Sequence, residues 1–257
     1  MSHLPADVPS QNHRRRLTLA AMLDRTDRTF DVTRKRLLLR TFCFLGVLML
    51  LFYMFSGTEG WPAAQVYVAL LALLGLGTGL ILLRRDPGLL AERMRPPIQK
   101  DQKGWDKLLI GVLLLLYVGW LVLIELDAER FHWSSVPLAV QVIGAILICI
   151  TFCITWLVIR ENSFAAPVVK IQSERGHYVV TTGPYAFVRH PMYAGTIPFL
   201  IGTPLLLGSW WGLLVSPLLI VLLALRAVLE ERTLKAELEG YADYAKRVCY
   251  RFVPYIW

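Results

Sequence analysis

Between residues 160 and 195 the chain turns polar and unusually rich in groups that hold ligands. The segment contains Asn162, Gln172, the run His177-Tyr178-Val179-Val180, the turn Gly183-Pro184-Tyr185 and the run Arg189-His190-Pro191-Met192-Tyr193. Imidazoles and phenols offer both donors and acceptors. Aromatic faces stack on flat rings or face cations. Tyr178 to Thr182 is rich in β-formers and reads as a short strand, Gly183-Pro184 is turn chemistry, and Tyr185 to His190 suits one helical turn before Pro191 opens a helix. Such a loop presents backbone N–H and C=O groups to a polar ligand. An ordinary connecting loop is the competing reading, and the residue types argue against it.

A second place for chemistry is Arg226, which follows an apolar run beginning at Leu218. Arg226 and Glu230 are four residues apart and share a helical face, with Glu231 beside them. The plain alternative is a snorkelling arginine with a helix-end ion pair, worth a few tenths of a kcal/mol when exposed. The pattern Leu234, Leu238, Tyr241 continues this helix as a surface element. Cys149 and Cys153 share a helical face but read as packing residues, and no metal-ligand spacing occurs, so no metal is expected.

The elements that position these residues are apolar. Windows of about 20 residues give spans at Leu37–Phe55, Pro62–Leu83, Leu108–Leu126, Val136–Ile159 and Trp210–Leu229. A shorter run, Tyr193–Leu207, contains Pro198 and Pro204 and reads as a kinked or partly inserted helix. Gly208-Ser209 leaves room only for a tight hairpin. The fold expected is an all-α integral membrane protein of about six transmembrane helices, with a cytoplasmic loop and a C-terminal helix. Three regions follow: a basic N-terminal arm (1–36), four helices (37–159) and a C-terminal catalytic region (160–257).

Composition agrees. Of 257 residues 56% are hydrophobic and 18% charged, which excludes a disordered chain. Net charge is +8. All but Arg130 of the 27 Lys and Arg lie in the N-terminal segment, the 84–107 loop, the 160–189 segment or the tail from Arg226. In a six-helix arrangement these fall on one side, so both termini and the polar loop are expected in the cytoplasm. Topology and anionic lipid account for the charge, and no nucleic acid is needed. The arm carries no signal peptide; Leu17 to Phe30 suits either a membrane-surface helix or a disordered arm. The Asp86 to Lys103 loop reads as another surface segment.

Taken together, Gly-Pro-Tyr-x-x-x-Arg-His-Pro-x-Tyr-x-Gly at Gly183 to Gly195, Arg-x-x-x-Glu-Glu at Arg226 to Glu231, and Tyr241-x-x-Tyr244-x-x-x-Val248-x-x-Arg251 resemble the isoprenylcysteine carboxyl methyltransferase family. The resemblance covers about Asn162 to Pro254 and looks closest to the bacterial branch, which implies a bacterial inner membrane. It implies that Gln172, His177, Tyr178, Val179, Val180, Tyr185, His190, Pro191, Met192, Tyr193 and Glu230 bind S-adenosylmethionine. It also implies that Arg226 faces the methyl acceptor, with Arg226, Glu230 and Arg189 as the catalytic set. Asn162 matches a family position as well. The acceptor implied is a lipid or lipid-linked group, a carboxylate in the family's name and an amine in the related phospholipid methyltransferases. A carboxylate needs no general base; an amine needs one, with Glu231 or His190 as candidates. Membrane sterol and isoprenoid reductases, which bind a nicotinamide dinucleotide, resemble the same C-terminal half but are usually longer. The sequence leaves the oligomeric state open.

Overall fold

The computed structural model describes residues 33–54 and 60–257. The arm, including Leu17 to Phe30, lies outside them. Eight α-helices occur among the described residues: α1 (Thr33–Met54), α2 (Pro62–Arg85), α3 (Pro87–Arg93), α4 (Gly104–Glu125), α5 (Leu138–Glu161), α6 (Pro191–Leu207), α7 (Trp210–Glu237) and α8 (Tyr241–Arg247). No strand occurs there. Helices α1, α2, α4, α5 and α7 are long and apolar enough to cross a bilayer, while α6 is a shorter apolar helix of 17 residues. Large apolar side chains such as Phe42, Leu73, Leu115, Leu138 and Val221 stand exposed on them. Lipid tails cover such a surface without cost. The chain is a multi-pass membrane protein.

Three expectations need correction. The Asp86 to Lys103 loop is more than a surface segment: Pro87 starts α3, the Asp86 carboxylate caps it by accepting from the Leu89 N–H at 2.8 Å, and Leu89, Leu90 and Glu92 are buried. Tyr178 to Thr182 forms no strand, because no neighbouring segment lies alongside to pair with it. The helix carrying Arg226 continues past Leu229 but stops at Glu237; Gly240, at φ +80°, turns the chain before Tyr241 opens α8.

The core gathers Tyr67, Trp120, Ile124, Ile148 and Leu207. Helices α5 and α6 are in closest contact because Gly144 faces Gly202; a Cβ at Gly144 would meet the backbone of Leu206 and Gly202. Small residues allow such approach where lipid provides no hydrophobic drive. Gly208, at φ +91°, and Ser209 make the tight hairpin that their spacing predicts. The Ser209 hydroxyl accepts from the Gly212 N–H at 2.8 Å and so caps α7.

Candidate active site

At the loop end of the helices, the polar segment folds over a cavity of about 200 Å³. Its walls come from Asn162 to Lys170, His177 to Val180, Tyr185, Arg189 to Tyr193, and the α7 residues Arg226 and Glu230. Asn162 and Glu230 stand 68 residues apart in the chain, and the ends of α5, α6 and α7 bring these groups together.

Tyr193 is the centre of the inner wall. Its hydroxyl donates to Glu230 Oε2 at 2.7 Å. Its ring stacks with His190 at 5.5 Å and lies under the Arg226 guanidinium at 5.6 Å. Across the cavity, Asn162 Nδ2 donates to the Tyr185 hydroxyl at 2.7 Å, and the Tyr244 hydroxyl donates to the Tyr185 carbonyl at 2.8 Å. Burial pushes the Tyr244 phenol up to about 12 and the Tyr185 phenol above its ordinary value. Both remain neutral hydrogen-bonding groups at physiological pH.

The His177 ring packs on Phe164 at 4.6 Å, and Tyr178 meets the same ring edge-on at 5.1 Å. Burial first, and then the Arg175 charge, lower the His177 pKa, so its imidazole is neutral at pH 7. Residues 178–181 lie in neither helix nor strand and make no backbone–backbone hydrogen bond among the described residues. Beside a cavity, such unpaired backbone offers donors and acceptors to a flat heteroaromatic edge.

Several expected site residues also make contacts that hold the fold. Gln172 is buried outside the cavity lining: its Nε2 donates to the Phe164 carbonyl at 2.9 Å and its Oε1 accepts from Arg175 at 2.6 Å. It braces Phe164 and the loop. Arg189 Nε donates to Glu231 Oε1 at 2.6 Å, and its Nη1 to the Val248 carbonyl at 2.6 Å. Glu231 also takes His190 Nε2 at 3.2 Å and Arg251 Nε at 3.2 Å. With both oxygens held by cationic groups, Glu231 is a poor general base.

Arg226 and Glu230 make no ion pair with each other. Arg226 Nε and Nη2 fork onto Asp106 at 2.8 and 3.3 Å, and Nη2 also donates to the Pro167 carbonyl at 2.8 Å. Asp106 is fully buried and additionally accepts from Val169 N–H at 2.9 Å and Gln102 Nε2 at 2.8 Å. Asp106, Phe164, Tyr244 and Arg93, which lines the cavity too, were missed in the sequence. A carboxylate in the first turn of an apolar helix was the one available signal; nothing distinguished Arg93 from other loop cations.

A second cavity of about 320 Å³ meets the first at Pro167, Val168 and Arg226. Apolar side chains of α4, α6 and α7 wall it, among them Ile110, Leu114, Phe199 and Leu223. A polar chamber and an apolar groove therefore join at one arginine.

Residues 140–239 match the family model described as phospholipid methyltransferase. Protein-S-isoprenylcysteine O-methyltransferase of Schizosaccharomyces pombe is 36% identical over 83 residues, 32% of this chain and 35% of that protein. Both matches fall on the C-terminal part of the chain, which is similar to membrane methyltransferases. The segment matched by the family model includes every cavity residue from Asn162 to Glu230, and the match to the yeast protein spans only about a third of that protein. The whole helical arrangement is similar to the eukaryotic intramembrane Ras methyltransferase, isoprenylcysteine carboxyl methyltransferase. The TM-score is 0.53 at 19% identity, over 83% of this chain and 74% of that one. That likeness is one of fold.

Proposed function

We propose that the protein is an integral-membrane methyltransferase that uses S-adenosylmethionine to methylate a lipid or lipid-linked acceptor. The observation that carries this reading is the meeting of the polar chamber with the apolar groove at Arg226. The chamber residues suit the cofactor's chemistry. Glu230 has one oxygen committed to Tyr193, leaving the other for an ammonium or ribose hydroxyl. The unpaired backbone of residues 178–181 suits an adenine edge, and the Tyr185 and Tyr193 rings supply π faces for a ring or a sulfonium. When bound, S-adenosylmethionine supplies an electrophilic methyl group.

The groove supplies what a lipid tail needs, so the acceptor's polar end would arrive at Arg226. With a carboxylate acceptor, alignment and exclusion of water are sufficient, because the nucleophile is already ionised. Arg226 already forks onto Asp106 through Nε and Nη2. Nη1 is the guanidinium nitrogen outside that network. An aminophospholipid is the second reading, favoured by the matching family model. His190 is its candidate base, since Glu231 is held by cations. We place the chamber, the basic loops and both termini in the cytoplasm, and the host membrane as a bacterial inner membrane.

The test is calorimetric titration of the purified protein in nanodiscs with S-adenosylmethionine, S-adenosylhomocysteine and reduced nicotinamide dinucleotide phosphate. Saturable binding of the first two alone is expected. Replacement of Glu230 by Ala should weaken them by at least about tenfold, the loss of one charge-assisted hydrogen bond. Binding of the dinucleotide alone would move the protein to the reductases.

A further inference from the structure

A third cavity, of about 400 Å³, shares Arg93 with the chamber. Its walls include Phe44, Leu71, Phe152 and Phe199, and two arginines border it, Arg40 of α1 and Arg93 of α3. Arg93 Nη1 donates to the Ala165 carbonyl at 2.9 Å. Among the described residues neither arginine has a carboxylate within ion-pair distance. Their neighbours differ: Arg226 is matched by Asp106 and Arg189 by Glu231. Burial pulls the Arg93 pKa below its ordinary value. The groove also has room. A Cβ added at Gly75, which lines it, would meet nothing within 4 Å.

We propose that this groove binds an anionic phospholipid, its headgroup held by Arg40 and Arg93 and an acyl chain lying along Phe44, Leu71, Phe152 and Phe199. The charge complementarity selects the occupant. A single negative headgroup supplies the counter-ion that both arginines lack, whereas a zwitterionic one brings its own cation to the same place. The aromatic and aliphatic walls accept a chain, which a free anion cannot use. Arg93 also borders the chamber and Phe199 the apolar groove, but Arg40 and Gly75 line neither, so variants at those two positions test this site apart from the methyltransferase reading.

The test is native mass spectrometry of the full chain in detergent, titrated with phosphatidylglycerol, phosphatidylcholine and inorganic phosphate. Phosphatidylglycerol is expected to bind at least about tenfold tighter than phosphatidylcholine, from one or two charge-assisted contacts. Arg40→Gln should remove most of that preference and leave phosphatidylcholine unchanged. Gly75→Leu, whose Cβ meets nothing within 4 Å, should weaken both lipids. Unaltered thermal melting would show that both variants fold. Equal affinity for the two lipids, or full phosphatidylglycerol affinity in both variants, would overturn the proposal. Inorganic phosphate binding as tightly as phosphatidylglycerol would also overturn it, because the chain would then contribute nothing.

Discussion

At the scale of single residues, the Arg226–Asp106 pair decides how the site works. A buried guanidinium without its carboxylate is an uncompensated charge, and removing one partner of such a pair typically costs about 3–5 kcal/mol. Asp106 has four donors on it, from Arg226 twice, Val169 and Gln102. Asp106→Asn replaces an acceptor oxygen with an NH₂ facing those donors. Thermal unfolding in detergent should show it destabilised by about 3 kcal/mol, with turnover falling as Arg226 loses its orientation. A melting temperature equal to the parent's would refute a structural role for the pair. Arg226 itself was visible in the sequence as a charge after an apolar run. Its partner, 120 residues earlier, was not, since only packing of α4 against α7 places them together.

At the scale of elements, α6 and α7 show how proline is accommodated in a membrane helix. Pro204 has no N–H to give the Leu200 carbonyl one turn back. The Ser216 hydroxyl of α7 donates to that carbonyl at 2.7 Å and restores the bond between helices. Membrane helices tolerate prolines where a neighbour satisfies the freed group in this way. Ser216→Ala leaves the carbonyl unpaired in a buried position and is expected to cost about 1–2 kcal/mol, read as a lower melting temperature. Restoration by Thr, which keeps the hydroxyl, would support the assignment; an unchanged Ser216→Ala melt would dismiss it. The kinked character of this run was legible from Pro198 and Pro204. The identity of the compensating donor depended on the crossing of two helices.

At the scale of the whole molecule, the C-terminal segment returns to lock the loop. Arg189 and His190 N–H groups donate to the Tyr250 and Arg251 carbonyls at 2.9 Å each, and Arg251 completes the cluster on Glu231. Phe252 packs against both His190 and Tyr193. Deletion of residues 249–257 should therefore weaken S-adenosylmethionine binding by about tenfold or more, although none of those residues lines the chamber. Cofactor affinity surviving the deletion would show that the loop is ordered without this strap. The sequence by itself determined the membrane character, the short proline-bearing helix, the tight Gly208-Ser209 hairpin and the position of the polar loop. Each of these follows from hydropathy over a window or from the backbone preferences of one or two residues, both local properties. Only the tertiary structure decided that Arg226 is forked onto Asp106, that Gln172 and Arg189 brace the fold, and that Arg93 stands between two cavities without a carboxylate. These are matters of which charges meet across helices, and a buried charge takes its role from partners far away in the chain.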